Sequence, residues 1–401
     1  MAVIGVVCEY NPFHLGHQRH LEKSRAALGE ETTVLCVMSG DYVQRGQAAV
    51  YDKFARAEAA CRCGADLVAE LPLPWSLSSA EGFARGAVSL LAGLGADCLS
   101  FGSETGALPP LERLAEVLAE PALTERIKSL LREEGSLSFA AAREQAVRER
   151  LGEEALLLRQ PNNILAVEYL KAIRSLHAAL RPLPILREGA AHDGRSVGTG
   201  PCSASELRAR LAAGESLAGA VPAEAEAVFA RERALGRELS SPDALEQAML
   251  ARLRMLQERD FERLPDGGEG LGRRLWTAVN RECGLAEILA GAQTKRYPLA
   301  RLRRMCLCAC LGIREGMNES TPPYARILAM TARGRAYLHE RGKDAALPLL
   351  IRPGAVRELS GDCEALFALG ARAHDFYALG RSRGEERRPG EDWRTGPRII
   401  K

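Results

Sequence analysis

The feature that most restricts this chain is an alternation running through its first 210 residues. Five near-continuous apolar runs, "AVIGVVCEY" (2–10), "TTVLCVM" (32–38), "ADLVAELP" (65–72), "ADCLSFG" (96–102) and "PLPILRE" (182–188), are separated by stretches with helical spacing such as "DKFARAEAACRCG" (52–64) and "AEGFARGAVSLLAGLG" (80–95). A strand that is apolar on both faces has to be covered on both faces, and helices between successive strands provide the cover. The expected fold is therefore α/β, a Rossmann-like doubly wound parallel sheet over 1–215, with 109–180 read as several helices ending in "NNILAVEYLKAIRSL". Beyond 215 the strand runs fade. "SPDALEQAMLARLRMLQERDFERL" and "LGRRLWTAVNRECGLAEILAGA" predict a mainly helical unit over 216–320, with Ser241 as an N-cap and Pro242 in the first turn. A small α/β segment is expected over 321–380, and a mobile tail over 381–401, where Arg, Gly and Glu dominate.

Composition limits the partners. Lys and Arg number 54 against 52 Asp and Glu, so attraction for a polyanion has to come from local patches. The first apolar run is too short for a signal peptide, and no stretch approaches the roughly 18 apolar residues of a membrane span. A cytoplasmic protein is expected, with no membrane partner. Eleven cysteines, an odd number, argue against a disulfide framework. Cys61/Cys63 and Cys306/Cys308/Cys310 have C-x-C spacing, not the C-x-x-C of common zinc sites, so they read as small buried hydrophobes and no structural metal is expected.

The chemistry starts at "CEYNPFHLGHQRHL" (8–21), directly after the first apolar run. In an open parallel sheet, ligands sit beyond the carboxyl ends of the strands, against helix N-termini. His14 and His17, three residues apart, can share one side of a first helical turn and donate to phosphate oxygens. Gly16 between them leaves room for an anion near the backbone. Donors aimed at charge developing on phosphorus, or on a departing pyrophosphate, act most strongly in the transition state. No side-chain nucleophile is needed.

The His14–His17 pattern resembles the H-x-G-H nucleotidyltransferase superfamily. "CVMSGDYVQRGQAAVYDKFARAEAACRCGADLVAELP" (36–72), "FGSE" (101–104), "QPNNILAVEYLKAI" (160–173), "LREGAAHD" (186–193), "CSASELRARL" (202–211), "TKRYPLARLRRMCL" (294–307) and "PPYARILAMTARGRAYL" (322–338) narrow the likeness. Together they resemble the bacterial tRNA(Met) cytidine acetate ligase family over most of the chain. That resemblance implies that acetate and ATP give acetyl-adenylate and pyrophosphate, and that N4 of the wobble cytidine of elongator tRNA(Met) then takes the acetyl group. It implies no acetyl-CoA. Mg²⁺ is expected to come with the ATP, without a protein ligand.

Carried onto this sequence, the resemblance implies an ATP-binding segment of Val7, Cys8, Glu9, Tyr10, Asn11, Pro12, Phe13, His14, Leu15, Gly16, His17, Gln18, Arg19 and His20. It adds Gly102, one of Asn162 and Asn163, and Arg187, with His14 and His17 as the catalytic pair. His20 is also explained as a helix-surface histidine, and either Asn as a cap of the helix after Pro161. Ser203, Ser205 and Arg208 stand where the superfamily has its second phosphate motif, although Ser203 and Glu206 also have capping-box spacing. Asp41, Gln44 and Arg45 follow the second strand and are expected to contact the acyl group or tRNA, with Lys53 and Arg56 adding positive charge. Lys295, Arg296, Tyr297, Arg301, Arg303 and Arg304 lie in a run without an acid, the expected tRNA footprint, with Tyr297 free to stack on a base. Two other classes fit the opening motif alone. A small-molecule adenylyltransferase does not need roughly 190 further residues with a basic helix. A nucleotide- or RNA-binding protein without turnover does not need His14, Gly16, His17 and Arg208 together.

Overall fold

The computed structural model describes residues 2–134, 137–187, 202–241 and 243–401. In chain order the strands are β1 (Val3–Cys8), β2 (Thr33–Ser39), β3 (Tyr42–Val43), β4 (Gln47–Ala48), β5 (Leu67–Leu71), β6 (Cys98–Ser103), β7 (Arg181–Leu186), β8 (Ala325–Met330), β9 (Leu349–Leu350) and β10 (Arg398–Ile399). The main sheet runs β10-β8-β5-β2-β1-β6-β7, with β9 on β8, while β3 and β4 form a separate hairpin. The five apolar runs are thus β1, β2, β5, β6 and β7, and their pairings with one another are all parallel. The chain leaves β1 towards β2 and β5, then returns to build β6 and β7 on the other side. The carboxyl end of β1 is therefore the switch point at which such sheets open a crevice.

Both faces of β1, β2 and β5 are buried, as their composition requires. One face packs under the helices Ala80–Gly93, Leu108–Ala119 and Pro161–Ser175. The other packs under Leu15–Leu28, Lys53–Arg62 and Ala223–Leu235. Residues 217–229 thus complete the cover of the sheet rather than opening a new unit, and Phe229 stacks on Tyr51 with ring centroids 4.4 Å apart. The helices between Glu246 and Leu311 have their own core, which also takes in Tyr42 and Tyr377. The first of these helices starts at Glu246, so Ser241 does not cap it. Cys306, Cys308 and Cys310 are all free and buried, as small apolar residues are.

Two expectations about the C-terminal part are corrected. The segment 321–380 is not a separate α/β unit, because β8 joins the main sheet antiparallel to β5. Nor is 381–401 a mobile tail, because β10 pairs in parallel with β8 and Asp392 is fully buried. The misleading feature was the charge of this stretch, which is used internally. Lys53 Nζ lies 2.9 Å from Glu70 and 2.7 Å from Asp392, and Arg326 lies 2.8 Å from Asp392. Alongside, His374 bridges Asp41 at 2.8 Å and Glu391 at 3.2 Å, while Arg381 bridges Asp52 at 2.9 Å and Glu391 at 2.7 Å. Removing one member of such a buried set leaves a charge without a partner, a loss of about 3–5 kcal/mol.

Candidate active site

A cavity of about 430 Å³ opens at the switch point, between the ends of β1, β6 and β7 and the hairpin. His14 is the N-cap of the helix Leu15–Leu28, and its Nδ1 accepts the Gly16 N–H at 3.0 Å. His17 Nδ1 accepts the His14 N–H at 3.3 Å, closing a capping box made of two histidines. Their rings stack with centroids 3.6 Å apart. A backbone N–H can be accepted only by an unprotonated ring nitrogen, so the proton of each neutral ring sits on Nε2. Desolvation, then the charges of Arg187 and Arg208, lowers the pKa of His14 to about 3. Desolvation and His14 likewise pull His17 well below the usual histidine value. Both rings are therefore neutral Nε2–H donors lining the cavity.

Gly16 has a more specific reason than anion access. A Cβ there would lie 2.9 Å from His14 Cε1, so only glycine lets the His14 ring fold back over its N–H. Tyr10 takes a left-handed backbone (φ 46) and is gripped by the rings of Phe13 and His17. His20 is not a surface histidine. Its Nε2 lies 3.0 Å from Ser100 Oγ, Ser100 is 2.7 Å from Ser24, and Ser24 donates to the His20 carbonyl. With the Ser24 proton so used, Ser100 donates to Ser24 and accepts from His20 Nε2–H.

Within the predicted ATP segment, Val7, Cys8, Glu9, Tyr10, Asn11, His14, Gly16, His17, Arg19 and His20 line the cavity. Pro12, Phe13, Leu15 and Gln18 do not, because Pro12 and Phe13 turn into the protein and Leu15 and Gln18 lie off this side of the helix. Gly102 and Arg187 meet there. A Cβ on Gly102 would lie 3.1 Å from Arg187 Cγ, and Arg187 donates to Asn162 Oδ1 at 3.1 Å. Asn162 lines the cavity, whereas Asn163 is fully buried and accepts from Ser103 and the Glu104 N–H. The residue that sequence reasoning missed is Glu104. It caps the helix Pro161–Ser175, accepting from the Asn163 N–H at 2.8 Å, and holds the Asn162 amide at 2.6 Å. Its signal was the acid ending "FGSE", but nothing local links it to a helix 57 residues later.

Ser203 caps the helix Ala204–Ala212 by accepting the Glu206 N–H, and it also lines the cavity. Arg208 is braced by Ser205 at 3.1 Å and donates to the Asn11 carbonyl at 2.8 Å. Most of the predicted "LREGAAHD" stretch lies outside the described residues. Gln44 and Arg45, on the hairpin, line the cavity. Asp41 does not. It is buried, held by His374 and by the Lys53 N–H at 2.9 Å. Lys53 and Arg56 are buried as well. The first is neutralised by acids, and the second donates to the carbonyls of Glu9, Ser39, Gly40 and Tyr51.

The predicted RNA stretch is also partly internal. Tyr297 is buried, with the Arg296 and Arg301 guanidinium groups against its ring, so it has no free face for a base. Arg304 is buried against Asp266 at 3.2 Å. Arg296 pairs with Glu269 at 2.7 Å, and Arg301 donates to the Asp266 carbonyl at 2.6 Å. The acids absent from the stretch come from the preceding loop. Lys295 is exposed and Arg303 half-exposed.

Comparison with known proteins identifies the family of the chain. The "HIGH Nucleotidyl Transferase" family matches residues 1–392. A tRNA(Met) cytidine acetate ligase of Syntrophotalea carbinolica is 40% identical, covering 87% of this chain and 84% of the relative. That of Syntrophomonas wolfei is 36% identical over 99% of both. The crystal structure of apo Thermotoga maritima TmcAL superposes with a TM-score of 0.94 at 30% identity, over the full length of both chains. A second structure of that protein, bound with alpha-thio ATP, gives 0.91 at 30% identity and covers 100% of this chain and 99% of the other. This chain belongs to the tRNA(Met) cytidine acetate ligase family of HIGH nucleotidyltransferases.

Proposed function

We propose that this chain uses ATP to convert acetate to acetyl-adenylate and acetylates N4 of the wobble cytidine of elongator tRNA(Met). The observation that carries the reading is the pair of neutral Nε2–H donors, His14 and His17, in a cavity also lined by Arg19, Lys23, Arg45, Arg187 and Arg208. The acetate oxygen attacks the α-phosphorus, and the bond to the β-phosphate oxygen breaks as pyrophosphate leaves. Fixed donors and cations stabilise charge as it builds on those oxygens and need no reorganisation at that moment. Arg187, aimed by Asn162 and Glu104, and Arg208, braced by Ser205, take the phosphates. His20, locked by Ser100, lines the wall beside them.

Among the described residues the cavity lining offers one carboxylate, Glu9, so these residues do not build a cage for Mg²⁺. The ion is assigned to the nucleotide, held through the phosphates and water as Mg²⁺ commonly is. The apolar arm of the cavity, with Phe83, Phe101, Ile164, Leu165 and Tyr169, suits a base or the acetyl methyl group. Lys295, Arg296, Arg301 and Arg303 are assigned to the tRNA backbone, with Arg296 exchanging Glu269 for phosphate. Tyr297 and Arg304 support that face from beneath. The helix Leu299–Leu311 abuts the hairpin at Gly46, so RNA held there leads to the Gln44–Arg45 wall.

The test is acetate-dependent exchange of labelled pyrophosphate into ATP, without tRNA. Exchange that requires acetate supports acetyl-adenylate formation. Exchange that ignores acetate and follows a phosphorylated alcohol instead would favour a small-molecule adenylyltransferase.

A further inference from the structure

Glu9 fits poorly in a site built only for ATP. Among the described residues it is the single carboxylate lining a cavity whose other charged residues are Arg19, Lys23, Arg45, Arg187 and Arg208. A fixed negative charge beside a triphosphate opposes binding. Its Oε1 is occupied, accepting the Gln44 N–H at 2.6 Å and the Ser39 hydroxyl at 3.3 Å. Its Oε2 takes no hydrogen bond among the described residues, although the side chain lines the cavity. One oxygen therefore anchors the hairpin and the other remains for a ligand.

The second half-reaction needs such a group. The N4 amine of cytosine presents N–H donors, which a carboxylate accepts well. Its lone pair is spread into the ring, so N4 attacks weakly, and it must lose a proton as the new N–C bond forms. The motif histidines cannot take that proton, because the Nδ1 of each is committed to a backbone N–H and Nε2 is already protonated. Resting on the reading above, we propose that Glu9 receives the N4 amine of the target cytidine and is the general base of acetyl transfer. N4 attacks the acetyl carbonyl carbon, the N–C bond forms, and one N4 proton passes to Glu9 Oε2. The acyl–phosphate C–O bond breaks with its electron pair on the phosphate, releasing AMP, and Glu9 returns the proton to water.

Burial raises the proton affinity of Glu9, opposed by the Gln44 N–H and by the charges of Arg56 and Arg208, with Tyr169 also close. The Nδ1 of His20, also in the lining, takes no hydrogen bond among the described residues, but burial and Arg187 lower the pKa of that ring to about 4.

Glu9→Gln separates the roles, because its amide oxygen can still accept from Gln44 and Ser39 while the other position can no longer take a proton. Acetate-dependent ATP–pyrophosphate exchange, single-turnover acetyl transfer to tRNA and tRNA affinity are measured on the full chain. The expected result is transfer slowed about 10²–10⁴-fold, with exchange and affinity changed by no more than a few-fold. Exchange falling as far as transfer would overturn the proposal and return Glu9 to the nucleotide or its Mg²⁺. Transfer at the wild-type rate would also overturn it, and loss of transfer in His20→Asn instead would move the base to His20. Wild-type protein without acetate-dependent exchange would sink the functional reading itself, and the proposal with it.

Discussion

A histidine ring has two nitrogens, and at His14 and His17 the backbone has already taken one of them. The other must be a donor, which predicts different outcomes for two near-isosteric substitutions at His17. Asn keeps an acceptor near the Nδ1 position and loses the distal donor, while Gln has an N–H near the Nε2 position. Adenylation rates should fall about 10²–10³-fold in His17→Asn, the cost of one transition-state donor, and less in His17→Gln. A smaller loss in His17→Asn than in His17→Gln would argue that the ring serves only to cap the helix. Much of this was legible in the sequence, since spacing after an apolar strand marked both histidines. What was not legible was why the residue between them is glycine, because the answer is a ring folded back in space. The choice between Asn162 and Asn163 was hidden for the same reason, being decided by Ser103 and Glu104 on a distant strand.

At the scale of elements, β1, β2, β5 and β6 were readable because a strand covered on both faces is apolar throughout, while β7, only half-buried at the sheet edge, was readable from its short apolar run. The last strand was not, since two residues and a charged approach carry no such pattern. Its anchor is electrostatic, and so it depends on pH. Desolvation lowers the pKa of His374, but Asp41 and Asp392 outweigh it and raise the value to about 10. A group raised in this way stabilises the fold fully below its unfolded pKa, about 6.5, and loses that contribution as pH rises through the folded value. Glu391 and Asp392, lowered to about 2 by their cationic partners despite desolvation, contribute above about pH 4.5 and lose it as pH falls through about 2. Urea unfolding should therefore give greatest stability between about pH 4.5 and 6.5, with an alkaline decline that His374→Gln flattens. An unchanged alkaline limb in that variant would remove His374 from the account. Asp392→Asn should cost about 3–5 kcal/mol, because Arg326 would then be left with Glu70, and Lys53 with Glu70 and the more distant Asp41 at 3.9 Å. A loss under about 1 kcal/mol would mean that water already screens the cluster.

Across the whole molecule, the helical part and the sheet are joined through the hairpin, one side of which faces the cavity and the other the basic helix. Sequence reading found the helical part but overcounted its free cations, since Asp266 and Glu269 meet Arg304 and Arg296 only once the chain has turned back. Substitution of Lys295 and Arg303 by Ala should weaken tRNA binding and shallow its dependence on salt, each phosphate contact contributing roughly 0.7–0.9 to the logarithmic slope. Arg304→Ala should instead lower stability, as loss of a buried side chain does. Equal tRNA affinity before and after the Lys295 and Arg303 changes, across a salt series, would move the RNA path to another face. The decisive measurement incubates the protein with labelled acetate, ATP and unmodified elongator tRNA(Met), without acetyl-CoA, and digests the RNA to nucleosides. Label is expected in N4-acetylcytidine, dependent on ATP and lost in His17→Asn, whereas labelled tRNA without ATP, or none with it, would overturn the proposed reaction.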